Sequence, residues 1–308
     1  MSRGAEFPST FWGRWMSTNA SASDEDRIGP YKVVRVVSNG IASSLIEAIQ
    51  ESTGKRFAIK QLLPSNANDR SIRKALQYEA KLGAELRHPN LVRVHEYVND
   101  PDQPYIVMDF FPSQHMRLCL ARPKEYPPPK SQMHRIISQS AQAIAYLHDH
   151  GYVHRDIKPE NILYNKSGEV RLIDYGMTLK IPTGFGKLFA SKPPRQGTHA
   201  YIAPEQINRE PLAIGVDIYS FGVTIYELAS GKKPFAADSL TELLSKHLKA
   251  KPVPPTMHNP NITKEFSELT LQMLAKKPGD RPATMRDFLS RFGRIRIYQD
   301  DPAPQTEF

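Results

Sequence analysis

His154-Arg155-Asp156-Ile157-Lys158-Pro159-Glu160-Asn161, followed thirteen residues beyond Asn161 by Asp174-Tyr175-Gly176, is the stretch on which the reading of this chain turns. Moving a phosphoryl group asks little covalent help of a protein and much positioning: a carboxylate to take the hydroxyl proton, a cation on the phosphate, and oxygen ligands for Mg²⁺. Asp156, Lys158, Asn161 and Asp174 supply that set in two neighbouring loops. A lone Asp in a loop is usually a turn former or cap. The ordered combination has no comparable structural explanation.

Working outward, the residues before these loops read as a strand-dominated unit holding one helix. Short β-rich runs at Tyr31–Val37, Ser44–Gln50 and Phe57–Leu62 precede a helical period near Ile72–Leu86, and strands return at Leu91–Val98 and Tyr105–Phe111. Beyond Phe111 the apolar spacing turns helical, at Met133–His148, Val216–Ser230, Leu240–Leu248, Lys264–Leu274 and Thr284–Phe292, with proline-rich joints at Pro127–Pro129 and Pro252–Pro255. The fold class expected is therefore α+β in two lobes, a small β-rich lobe over residues 30–111 and a larger helical lobe over 112–295. Residues 1–29 are expected to form a flexible tail, although Phe11, Trp12 and Trp15 are costly to leave in water. Residues 296–308 are expected to form a C-terminal tail, and no internal repeat is evident.

At 308 residues the chain can bury a sizeable core without disulfides, and its single cysteine, Cys119, excludes a disulfide framework. The longest apolar candidate for a membrane span, Val216 to Ala229, is broken by Asp217, Ser220 and Glu227. The first residues lack the apolar core of a signal peptide, and Ser2 excludes myristoylation, so a cytoplasmic location is the expectation. The net charge of +9 is spread along the chain without a basic block, which argues against nucleic acid as a partner.

The ordered loops resemble those of the eukaryotic-type protein kinases, in the style of the eukaryotic-like serine/threonine kinases of bacteria, over about Ile28 to Phe292. The resemblance implies ATP and Mg²⁺, with Mn²⁺ as a substitute, and serine or threonine hydroxyls of proteins as acceptors. By position it makes Asp156 the catalytic base, Lys158 a γ-phosphate contact, and Asn161 and Asp174 the metal ligands. Lys60, in Phe57-Ala58-Ile59-Lys60, becomes the holder of the α- and β-phosphates, with Glu79 as its ion-pair partner. Val37, Ser38, Asn39, Gly40 and Ser43 would cover the phosphates. Leu45, Ala58, Leu163 and the backbone of Asp109 and Phe111 would line the adenine pocket. Thr198 should bond Lys158 and Asp156, Glu205 should pair with Arg281, and Asp217 should brace the catalytic loop. Glu160 and Glu227 fall where basic-directed members of the family contact substrate arginines, which suggests a basic acceptor motif.

Three departures stand out. Ser38-Asn39-Gly40-Ile41-Ala42-Ser43 keeps only the central glycine of the family's Gly-x-Gly-x-x-Gly. Tyr175 replaces the usual Phe, and Gly83 stands one helical turn after Glu79, where an absent side chain would leave room for the tyrosine ring. The usual phosphosite falls at Pro193-Pro194, with Ser191 the nearest hydroxyl and Thr178 and Thr183 further back, so little dependence on loop phosphorylation is expected. Two alternatives stay open: a pseudokinase scaffold, supported by the altered glycine loop, and a small-molecule phosphotransferase of related fold. The sequence does not specify an oligomeric state.

Overall fold

The computed structural model describes residues 27–126, 129–181 and 198–302. The expectations placed on Phe11, Trp12 and Trp15, on Pro127, and on Thr183, Ser191 and Pro193-Pro194 lie outside the described residues. The chain divides into two compact units, one drawn from Met1–Arg87 and Val92–Pro112, the other from His88–Leu91 and Ser113–Phe308.

The first unit is a six-stranded antiparallel sheet with one helix. In chain order it contains β1 (Arg27–Ile28), β2 (Tyr31–Asn39), β3 (Ser43–Gln50), β4 (Arg56–Leu62), α1 (Arg70–Glu85), β5 (Val94–Val98) and β6 (Tyr105–Asp109). The sheet order is β1-β2-β3-β4-β6-β5. Strand alternation puts Ile46, Ala48 and Ile59 with Tyr31, Tyr105 and Val107 in one buried cluster. That phase leaves Lys60 on the other face. Ser38, Leu45, Lys60 and Ile106 form one row across β2, β3, β4 and β6, and a bulge between Val36 and Ser38 sets this register. α1 starts cleanly because the Asp69 carboxylate accepts from the backbone N–H groups of Ser71 and Ile72. Its buried face holds Leu76, Glu79, Ala80 and Gly83, the i, i+3, i+4, i+7 stripe of an amphipathic helix.

Two expectations of the first unit are corrected. Arg27 and Ile28, assigned to the tail, pair with Lys32 and Tyr31, because Ile28 adds to the buried cluster of the sheet. The strand expected from Leu91 begins only at Val94; Leu91 instead bridges Leu172, and His88–Leu91 belongs to the second unit. Asn90 explains this, since its side-chain amide donates to Gln139 Oε1 at 2.8 Å and to the Val170 carbonyl at 3.1 Å.

The second unit runs through β7 (Gln114–His115), α2 (Met116–Ala121), α3 (Met133–Asp149), β8 (Tyr152–Val153), β9 (Ile162–Tyr164), β10 (Val170–Leu172), β11 (Leu179–Lys180), α4 (Pro204–Asn208), α5 (Gly215–Ser230), α6 (Leu240–Lys249), α7 (Lys264–Met273) and α8 (Met285–Phe292). α5 is buried almost all round, so it forms a core against which α7 and α8 pack. Gly222 allows that packing: a Cβ there would stand 2.7 Å from the Met273 Cβ on α7. Phe221 meets Phe288 of α8 edge to face, and His134 of α3 stacks on Phe292. The stretch from residue 296, expected as a tail, folds back as far as residue 302. Ile297 and Tyr298 are buried, and the Thr263 N–H donates to the Ile297 carbonyl at 2.9 Å. Among the described residues no helix is long and apolar enough to cross a membrane.

Candidate active site

The loop between β8 and β9 is shaped by Asp217, a fully buried residue on the first turn of α5. Its carboxylate accepts from the His154 N–H at 2.7 Å and the Arg155 N–H at 2.8 Å, and is hydrogen-bonded to His148 Nε2 at 2.9 Å. Burial alone would raise the Asp217 pKa. The His148 bond, the charges of His148 and His154 and the Arg155 N–H outweigh it and hold the carboxyl below the ordinary carboxylate value. This bracing supports a strained backbone, since Arg155 has φ +71°, a region that non-glycine residues occupy at a cost.

The strain turns Asp156 into a dense cluster of polar groups. Asp156 Oδ2 accepts from Lys158 Nζ at 2.6 Å and from Asn161 Nδ2 at 3.1 Å, while Oδ1 accepts from the N–H and hydroxyl of Thr198 at 3.2 and 3.1 Å. Lys158 Nζ also donates to the Thr198 hydroxyl at 2.8 Å. Asn161 Nδ2 donates to the Asp156 carbonyl at 2.8 Å as well, so the amide group is turned with its oxygen away from Asp156. That oxygen, Asn161 Oδ1, is buried and has no hydrogen-bond partner.

The second loop is tied to the first. The Ile173 N–H donates to the Asn161 carbonyl at 3.0 Å, and His154 Nε2 lies 3.2 Å from the Ile173 carbonyl. Asp174 follows directly, again with a left-handed φ of +71°, and its Oδ1 accepts from the Gly176 N–H at 3.2 Å. Asn161 and Asp174 are thus brought onto adjoining backbone with oxygen donors only. An unpartnered buried amide oxygen, on a backbone tied to that of a carboxylate residue, fits a hard divalent cation such as Mg²⁺.

In the first unit, Lys60 Nζ donates to both oxygens of Glu79, at 2.8 and 2.7 Å, across nineteen residues of sequence. Leu45 and Ala58 lie on β3 and β4 and Asp109 closes β6, its N–H donating to the Arg93 carbonyl at 2.9 Å, with Phe111 two residues on. Val37, Ser38 and Asn39 end β2, Gly40 donates its N–H to the Ser43 carbonyl at 2.9 Å, and Ser43 opens β3. Leu163 sits on β9 of the second unit, paired with Arg171 and His115. Gly83 is in the buried face of α1 and Tyr175 is buried in the second unit.

Glu205 and Arg281 form the expected buried pair, with Arg281 Nη1 and Nη2 donating to the two carboxylate oxygens at 2.6 and 2.9 Å. Two residues went unread in the sequence. His148 on α3 completes the Asp217 brace. Arg117 on α2 binds Glu160, Glu227 and Tyr201 together, and its only sequence signal is a charge inside the apolar run Met116-Arg117-Leu118-Cys119-Leu120.

Residues 31–291 match the family described as the protein kinase domain. The chain belongs to that family. Among curated proteins it is similar to the serine/threonine-protein kinase pkn3 of Myxococcus xanthus, 32% identical over 84% of this chain and 48% of the relative. PknB of Mycolicibacterium smegmatis is 31% identical over 81% of this chain and 40% of its own length. PknA of Mycobacterium tuberculosis (strain ATCC 25618 / H37Rv) is 31% identical over 90% of this chain and 63% of its own length. The chain therefore spans about half the length of the curated relatives it matches.

Proposed function

We propose that this chain transfers the γ-phosphate of ATP to serine or threonine hydroxyls of protein substrates, with residues 30–295 as the kinase domain. The observation that carries the proposal is the single hydrogen-bonded group formed by Asp156, Lys158, Asn161 and Thr198, with Asn161 Oδ1 buried and unpartnered at its edge. In the reaction the acceptor oxygen bonds to the γ-phosphorus, the bridging P–O bond breaks with its electron pair leaving on ADP, and the hydroxyl proton passes to Asp156.

Both Asp156 oxygens already accept hydrogen bonds, so an incoming alcohol replaces one of these donors rather than entering an empty place. Lys158, freed from Thr198 or Asp156, is then available to neutralise the transferring phosphoryl group. Lys60, oriented by Glu79, is suited to the α- and β-phosphates. Asn161 and Asp174 would hold Mg²⁺, which supplies charge neutralisation of the phosphate oxygens when bound. The single cysteine is buried, in keeping with a reducing, cytoplasmic setting.

Incubation with radiolabelled ATP and a generic Ser/Thr protein tests the reading. Asp156→Asn is expected to cut the turnover by about 10²–10⁴-fold, the usual contribution of a positioned base. No turnover in the wild type would favour the pseudokinase scaffold, whereas turnover equal to wild type in Asp156→Asn would show that Asp156 is not the base. Transfer to aminoglycosides or choline instead of protein would favour the small-molecule phosphotransferase.

A further inference from the structure

Arg117 leaves α2 and reaches three other segments of the second unit. Its Nε donates to Glu160 Oε1 at 2.8 Å, its Nη1 to Glu227 Oε1 at 2.8 Å, and its Nη2 to Glu227 Oε2 at 3.2 Å and to the Tyr201 hydroxyl. The Tyr201 hydroxyl in turn donates to Glu227 Oε2 at 2.5 Å. Glu160 lies two residues beyond Lys158 and Tyr201 three beyond Thr198, so the cluster grows from both chain segments that build the Asp156 group.

Two carboxylates beside a hydroxyl-accepting site would ordinarily attract a cationic side chain of the acceptor. Here that cation is supplied from within. The guanidinium takes Glu227 with two N–H groups and Glu160 with a third, the strongest geometry available to an arginine. Lys233 Nζ adds a second cation 5.8 Å from the centre of the Tyr201 ring. The guanidinium thus takes three of the four carboxylate oxygens, which leaves little of the pair for another cation to bind. Glu160 Oε2 is without a partner, but it is buried, so an external guanidinium has one desolvated oxygen to reach for rather than a fork-shaped pair. Although burial opposes it, the bond to Glu227 and the surrounding negative groups hold Arg117 firmly protonated. His115, two residues earlier, is pushed down to about 4, by burial first and by the charge of Arg117 second, so it adds no third cation near neutral pH.

We infer that Arg117 is a specificity-determining residue: a built-in arginine occupies the acidic pair Glu160–Glu227 and makes the site indifferent to basic residues flanking the acceptor hydroxyl. The inference rests on the protein kinase reading above and departs from the basic motif that the two glutamates suggest in the sequence.

The test uses synthetic peptides with one serine and Arg, Ala or Glu at each flanking position, read both as kcat/KM and as Kd by fluorescence anisotropy. Wild type is expected to treat Arg and Ala peptides alike, within about twofold. Arg117→Ala, which uncovers both carboxylates, is expected to favour Arg peptides by about tenfold. The Arg117 side chain is 21% exposed, so methylguanidinium can refill the vacated place and should erase that preference. A wild type that already prefers Arg peptides tenfold, or an Arg117→Ala variant that folds and gains no preference, would overturn the inference.

Should Arg117→Ala fail to fold, Glu160→Gln in the otherwise unaltered chain answers the same question. An unchanged Arg-to-Ala ratio supports an internally filled pair, and a tenfold fall refutes it. Binding is measured without turnover, so a chain that binds these peptides but transfers no phosphate defeats the kinase reading while the selectivity question is still decided.

Discussion

The loop His154–Asn161 in the second unit is held from beneath by buried side chains, whereas the turn Asn39–Ser44 in the first unit is held at its rim. Asp217 and His148 fix the backbone of the former, and its own side chains then fasten one another. In the latter, the Leu63 N–H donates to the Ala42 carbonyl at 2.9 Å, Asn66 Nδ2 to the Ile41 carbonyl at 3.0 Å, and the Ser44 hydroxyl to Asn39 Oδ1 at 2.7 Å. Ile41, at the tip, is among the exposed large apolar residues. A loop that places charges on reacting atoms gains from a rigid, dry support, because a displacement of a fraction of an ångström is costly there. The turn is instead shaped by a few solvent-facing hydrogen bonds, with one glycine where the pattern of its family has three.

That contrast can be broken from the charged side first. Lys60→Met is expected to lower kcat/KM by about 10²–10³-fold, the scale of removing one electrostatic donor from a phosphoryl-transfer site. It also removes the cation from a buried ion pair, which costs about 3–5 kcal/mol. Lys60→Met with Glu79→Leu should recover the melting temperature and leave turnover low. Recovery of both in the double variant would show that the pair only holds α1 in place.

Asp217→Asn comes next, with an expected loss of about 1–3 kcal/mol, because an amide cannot accept from His154 N–H, Arg155 N–H and His148 together. The pH dependence has a definite sign. The folded carboxyl titrates below its ordinary value of 3.8, so its contribution is complete above that pH and fades as pH falls through the lower folded value. The gap in stability between wild type and Asp217→Asn should therefore hold steady from neutral pH down to about 5 and close below 3.8. A gap that already changes between pH 7 and pH 5, followed by thermal denaturation, would show that the Asp217 carboxyl is not the group that sets the pH dependence of the brace.

What the sequence could disclose follows the same division. The His154–Asn161 loop was readable because its chemistry is carried by neighbours in the chain. Lys60 and Glu79 were readable through the resemblance, Phe57-Ala58-Ile59-Lys60 matching the family's strand motif and Glu79 lying in the helical stretch before His88-Pro89-Asn90. Arg117 was not, since its partners lie 43, 84 and 110 residues away and nothing local distinguishes a buried arginine from a solvated one. The start of β5 was misplaced for a related reason: Leu91 is apolar enough for a strand, but Asn90 is claimed by Gln139 and Val170 of the second unit, to which His88–Leu91 belongs. The edges of both tails were missed because single apolar residues, Ile28 and Ile297, carry too little periodicity to announce that they are buried.

The smallest effect belongs to the turn. Asn66→Ala removes one exposed hydrogen bond to the Ile41 carbonyl, worth about 0.5–1.5 kcal/mol, and leaves the backbone bonds of Ala42 and Ser43 intact. The carbonyl is exposed and can turn to water, so melting should hardly move. If the pinned turn is what replaces the missing glycines, the loss must appear in nucleotide handling: the KM for ATP should rise by about two- to tenfold with kcat nearly constant. Ser38→Gly in the same background should raise it further, since glycine adds backbone freedom to a segment that has lost its tether. In the wild-type background Ser38→Gly should change KM much less, because Asn66 still holds the tip. Equal effects of Ser38→Gly in both backgrounds would mean that the tether and the strand end act independently, and that the shape of this turn is set by β2 and β3 alone.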